Sequence, residues 1–254
     1  MEGVSHDRAL RSVQRFGELL GESADAASFA AAIDREFVWL KSAGYDGRGG
    51  GVLFTGYCTP ILTGSLTQSS EFRYPLYGLP DDLVKGEDGA ILGQQTEAGL
   101  RDYPTRKVIE ASHILANRTL ELIWLRDPLD AFLAHVNGSA FVRLADGSLR
   151  KFGYSGKNGR EYRSLGKALV RDGKLPAENV SLAAIRKWGQ SNPGELARYL
   201  QVNDSYVFFL PIEGNPRGSL NVEVEPERSL ATDKSLFPRA GLVFVDVPAT
   251  NSLP

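Results

Sequence analysis

Between residues 59 and 105 a proline or glycine recurs too often for any long element to form: Pro60, Gly64, Pro75, Gly78, Pro80, Gly86 and Gly89. This stretch is expected to be β-rich, with ordered loops. The flanks differ. Leu10, Val13, Phe16 and Leu20 recur at helical spacing over Asp7–Leu20, and Phe29, Ile33, Phe37 and Leu40 do so over Ala26–Ser42. Val52–Tyr57 reads as a strand after the glycines at 47 and 49–51. Thr119–Leu125 reads as a strand, and Asp127-Pro128 opens a helix that runs to about Val136, with a capping carboxylate followed by proline at the first helical position. Ser139–Ala145 and Ser148–Tyr154 flank Asp146-Gly147 as a hairpin. Short helices are expected at Glu161–Arg171, Ser181–Gln190 and Pro193–Gln201, then strands at Ser205–Leu210 and Leu242–Val247. The order does not alternate βαβα, so the class is α+β, mainly β with α, rather than a doubly wound sheet.

Composition excludes several functions. The 254 residues carry a net charge of −2, with Lys and Arg spread evenly, so no nucleic-acid footprint is expected. No apolar run approaches the ~20 residues of a membrane-spanning helix. The first residues do not read as a signal peptide. His6, His113 and His135 fall in three separate elements and Cys58 stands alone, so no metal site, catalytic cysteine or cofactor is expected. Gly153-Tyr154-Ser155-Gly156 lacks the second glycine of a nucleophile elbow, because Lys157 follows. Trp39, Trp124 and Trp188 sit on apolar faces and read as core.

Carboxylates, amides and aromatics remain, which are the groups that bind and cleave sugars. Aromatic faces stack on pyranose rings, while Asn, Ser, Thr and Lys reach hydroxyl and acetamido groups. They concentrate in 54–60 and in 135–139 with 153–159, although a hairpin and a glycine-rich turn explain the second group equally well.

In these same places the chain resembles the membrane-bound lytic murein transglycosylase A family. Thr55-Gly56-Tyr57-Cys58-Thr59-Pro60, Tyr74-Pro75-Leu76-Tyr77 and Asp127-Pro128-Leu129-Asp130-Ala131-Phe132 are similar to family segments. So are His135-Val136-Asn137-Gly138-Ser139, Ser205–Phe209 and Arg228–Asp233. The most specific match is Gly153-Tyr154-Ser155-Gly156-Lys157-Asn158-Gly159 with Tyr162–Gly166. The resemblance implies a double-psi β-barrel from residues 1–60 and 209–254, incomplete here, with a second β-domain inserted at 61–208 and a groove for a glycan strand between them.

It also implies cleavage of the β-1,4 bond between N-acetylmuramic acid and N-acetylglucosamine without water. The muramyl C6 hydroxyl attacks C1 and leaves a 1,6-anhydro ring. One aspartate then suffices, first as acid and then as base, where a glycosidase needs two carboxylates. Carried over, the glycan-binding candidates are Thr55, Tyr57, Asn137, Ser139, Tyr154, Lys157, Asn158 and Arg228. The family's catalytic aspartate follows in a segment not present before Pro254, so a truncated chain is expected, with the acid beyond residue 254. Asp233 is the candidate substitute, or a turn residue in a supporting role. Cys58, Asn137 and Ala140 replace the family's Tyr, Gln and Gly. The implied partner is peptidoglycan in the periplasm, at the outer membrane through a lipid anchor not visible in the sequence. The alternative is a non-catalytic peptidoglycan-binding module or an inactive fragment.

Overall fold

The structure, a computed structural model, describes residues 4–44, 47–49, 51–52, 59–87, 89–116, 118–218, 220–233, 237 and 241–245. The chain divides into two compact units, Met1–Thr55 with Pro226–Pro254, and Gly56–Glu225.

In the first unit, α1 (His6–Glu22) and α2 (Ala26–Glu36) pack through Leu19, Ala32 and Ile33, with Phe16, Phe29 and Phe37 around them. Ser5 and Asp25 cap the two helices. The second helix stops at Glu36 rather than Ser42. Phe37 turns extended (φ −117°, ψ 151°) and packs edge-on against Phe16 at 6.4 Å, so the tertiary contact overrides the helical spacing that continues to Leu40. Trp39 is not core: it is 57% exposed, donates to Asp34 and meets Phe244 edge-on. The strand expected at Leu242–Val247 is absent over 241–245, because no neighbouring strand among the described residues receives its backbone groups. The expected strand Val52–Tyr57 lies mostly outside the described residues, and Val52 itself is not in a strand.

The second unit holds β1 (Ile61–Ser65), β2 (Tyr74–Tyr77), β3 (Leu83–Lys85), β4 (Ile91–Thr96), β5 (Gly99–Arg101), α3 (Arg106–Ser112), β6 (Glu121–Leu125), α4 (Pro128–Asn137), β7 (Ala140–Arg143), β8 (Leu149–Lys157), α5 (Leu165–Arg171), α6 (Leu182–Ser191), α7 (Pro193–Leu200) and β9 (Val207–Pro211). The main sheet runs β2-β6-β1-β7-β8-β9, parallel only between β1 and β7. Gly78, just after β2, bridges Phe209 on β9, so the two edges of the sheet meet. Its core is Leu62, Leu76, Ile123, Leu125, Val142, Phe152, Val207 and Phe209, and α4 enters it with Ala131 and Ala134.

Outside β9 a second core forms around Tyr103, Ile109, Leu115, Tyr206 and Phe208, covered by α3 and the β3-β4-β5 sheet. On the other side of α4, Leu129 and Phe132 pack with Leu165, Leu169, Leu196 and Leu200 of α5 and α7. Asp127 caps α4 by accepting from the N–H groups of Leu129 and Asp130, and Arg186 of α6 pairs with Asp130 at 2.6 Å. The first short helix begins at Leu165 rather than Glu161. Ser164 caps it, and the Arg163 N–H is taken by Asn203 instead of a helical carbonyl.

Candidate functional site

The C-terminal turn of α4 and the far end of β8 meet, and most of the expected site residues in this unit gather there. The helix ends at Asn137, which is exposed, and Gly138 turns the chain with φ +69°, a conformation that favours glycine. Ser139 follows, buried just before β7. Tyr154 of β8 lies over the turn: a Cβ on Gly138 would stand 3.7 Å from its ring. The ring is 54% exposed, and partial desolvation raises its phenol above the ordinary value, so it stays a protonated donor.

The stretch 153–159, expected as a glycine-rich turn, is strand through Lys157 with one irregular step. Tyr154 pairs with Phe209, Gly156 with Phe208 and Lys157 with Val207, which leaves Ser155 as an extra residue in a bulge. In a regular strand residues 154 and 157 face opposite sides. Here both stand opposite residues of one core, Phe209 and Val207, so the bulge brings Tyr154 and Lys157 to the same face.

The turn of α4 is anchored beneath this face. Val207 donates its N–H to His135 Nδ1 at 3.1 Å, which puts the proton of the neutral ring on Nε2. Burial first, and then the nearby Arg106 guanidinium, hold His135 well below its ordinary pKa. Arg106 is itself buried, between the rings of Phe132 and Tyr206, and donates to Glu110 and the Ser205 carbonyl.

Asn158 is different from its neighbours. Its amide nitrogen donates to the Pro104 and Asp204 carbonyls at 2.8 and 2.9 Å, and its oxygen accepts from the Tyr206 and Arg160 N–H groups. It is 2% exposed. Each of these groups is bound to the fold, so the side chain is a clamp and offers nothing to a ligand. Arg228 and Asp233 belong to the other unit, both exposed, Arg228 in a turn and Asp233 accepting the Phe237 N–H through its carbonyl. Thr55 and Tyr57 lie outside the described residues.

Two features of the site carried no sequence signal. Lys85 reaches the Ser155 carbonyl across seventy residues of chain, and α3 buries an arginine where apolar spacing would be sought. A separate open cleft of about 620 Å³ is lined mainly by Leu66, Leu122, Leu149, Phe152, Pro211 and Ile212. It holds none of the expected site residues. Among the described residues no three His, Cys, Asp or Glu side chains converge, and no helix is long and apolar enough to cross a membrane.

The family described as "MltA specific insert domain" matches residues 53–210. The membrane-bound lytic murein transglycosylase A of Escherichia coli K12 is 34% identical over 202 residues, 78% of this chain and 50% of that protein. That of Vibrio cholerae is 34% identical over 206 residues, 80% and 51%. Among solved structures, Escherichia coli MltA with bound chitohexaose superposes with a TM-score of 0.71 at 29% identity, covering 93% of this chain and 66% of that one. The Agrobacterium tumefaciens membrane-bound lytic murein transglycosylase gives 0.63 at 31% identity, covering 69% and 51%. This chain spans about half the length of the curated relatives it matches. With the family match running through both halves of the Tyr154 and Asn137 face, the chain belongs to the membrane-bound lytic murein transglycosylase A family.

Proposed function

We propose that this protein binds peptidoglycan glycan strands and takes part in their non-hydrolytic cleavage between N-acetylmuramic acid and N-acetylglucosamine, leaving 1,6-anhydromuramic acid. The observation that carries the reading is the face of β8 bearing Tyr154 and Lys157, with Tyr154 against the Asn137-Gly138-Ser139 turn. The half-exposed Tyr154 ring offers a flat platform for a pyranose, Asn137 an amide for an acetamido group, and Lys157 a donor for hydroxyls. The relative solved with chitohexaose, a β-1,4 amino-sugar oligomer, supports that substrate class.

Cleavage needs one aspartate as acid towards the leaving oxygen and then as base towards the C6 hydroxyl. Within this chain Asp233 is assigned the supporting role, with Thr55, Tyr57 and Arg228 as further glycan contacts. Residues 1–60 and 209–254 are assigned to a double-psi β-barrel and 61–208 to its insert. The chemistry requires neither metal nor organic cofactor. The place of action is the cell envelope, in the periplasm, where a lipid anchor would hold the protein at the outer membrane.

Incubation of the full-length protein, including the segment that supplies the catalytic aspartate, with purified sacculi, followed by mass spectrometry of the soluble products, tests the proposal. Muropeptides with 1,6-anhydro ends are expected. Reducing muramic ends would indicate hydrolysis, and retention on sacculi with no soluble product would refute the cleavage step.

A further inference from the structure

The bulge at Ser155 decides which face Lys157 occupies, so whatever holds the bulge holds the site together. The back of β8 at this point is covered by the segment that follows β2. Gly156 pairs with Phe208, on the opposite side of the sheet from Tyr154 and Lys157. A Cβ on Gly156 would stand 2.6 Å from Leu79 Cδ1, 3.5 Å from Lys85 Cε and 3.4 Å from Lys85 Nζ. The Lys85 ammonium donates to the Ser155 carbonyl at 3.0 Å. The extra residue of a bulge drops out of the strand ladder, and a charged donor makes a stronger hydrogen bond than a neutral one. The backbone of Lys85 is fixed in turn by the three-stranded sheet, at the irregular step between Val84 and Lys85 in the pairing of β3 with β4.

We propose that Lys85 is a positioning residue for the glycan face: it pins the Ser155 bulge from behind and so keeps Tyr154 and Lys157 on the same side of the sheet. The consequence for glycan affinity rests on the function proposed above; the consequence for the strand does not. If the pin is removed, the bulge is free to shift along β8. Tyr154 then leaves Gly138, and Lys157 no longer shares its face. Lys85 itself stands on the other side and touches no glycan.

The test uses the whole chain with Lys85→Met, which keeps an unbranched stem but cannot donate, and Lys85→Arg, which can. Two readouts are taken: nuclear Overhauser contacts between the Tyr154 ring and the Gly138 α-protons, and affinity for chitohexaose by calorimetry. In Lys85→Met the contacts are expected to weaken and affinity to fall ~5–10-fold, on the scale of one lost solvent-exposed hydrogen bond. The thermal midpoint should change little, and Lys85→Arg should restore both readouts. A Lys85→Met protein that keeps the Tyr154–Gly138 contacts overturns the inference, whether its midpoint falls or not. If the parent chain binds no chitohexaose while the contacts respond as described, the glycan reading fails and the positioning role of Lys85 stands. If the parent binds and the contacts do not respond, the reverse holds.

Discussion

Asn158 separates structural from ligand-binding use of the 153–159 stretch, and Asn158→Ala puts a magnitude on the difference. The side chain satisfies the Pro104 and Asp204 carbonyls and the Tyr206 N–H, with a longer bond of 3.3 Å from the Arg160 N–H. The Asp204 carbonyl keeps a second donor, the Arg106 N–H at 3.1 Å, so truncation orphans chiefly the part-buried Pro104 carbonyl and the buried Tyr206 N–H. Each unsatisfied buried group costs about 1–3 kcal/mol. The expected loss is therefore about 4 kcal/mol, a large part of the 5–15 kcal/mol typical of a domain. Asn158→Asp should fare no better, since a carboxylate has no hydrogen to give the two carbonyls. Urea unfolding followed by far-ultraviolet circular dichroism measures both. A loss below about 1 kcal/mol together with abolished chitohexaose binding would refute the clamp and make Asn158 a ligand contact.

Tyr154→Ala should weaken chitohexaose binding ~10-fold by calorimetry while moving the unfolding midpoint little, because the ring is half exposed and rests on one glycine. The depressed pKa of His135 makes the fold acid-sensitive. Above about pH 6.5 the ring is neutral in both states; below it the unfolded chain takes the proton and the folded chain does not, so stability falls by up to about 1.4 kcal/mol per pH unit. His135→Gln, which can still accept from Val207, should flatten that part of a stability curve measured from pH 8 to pH 5. Gly64→Ala should destabilise the main sheet by about 1–3 kcal/mol in urea, because its Cβ would meet Val142 Cγ1 at 2.5 Å and the Trp124 carbonyl at 2.9 Å.

The elements that were legible carry their own local chemistry. Asp127-Pro128 starts α4 and Gly138 stops it; Asp146-Gly147 turns β7 into β8 with Gly147 at φ +83°; and helical spacing gives α1, α6 and α7. What was missed depends on distant contacts. α3 has Thr105 as its cap, but its buried face is led by Arg106, which apolar spacing does not register. The glycines of 153–159 looked like a turn, yet only Gly159 has a positive φ, and Gly153 and Gly156 are small because Ile212 and Leu79 press against them. Asn158 resembled a turn or ligand residue because its partners lie 46 to 54 residues away. The end of α2 was set by Phe37 turning back onto Phe16. The residues proposed for the glycan face, Asn137, Ser139, Tyr154 and Lys157, could be picked out by residue type; that a bulge would align two of them could not.

The most direct measurement is a chitohexaose titration of the isotope-labelled chain, read as amide shift changes residue by residue. Saturable changes centred on Asn137, Gly138, Tyr154 and Lys157 are expected. A folded chain that shows no saturable change, or whose changes centre on the cleft lined by Leu66, Leu122 and Phe152, would contradict the assignment of the glycan face.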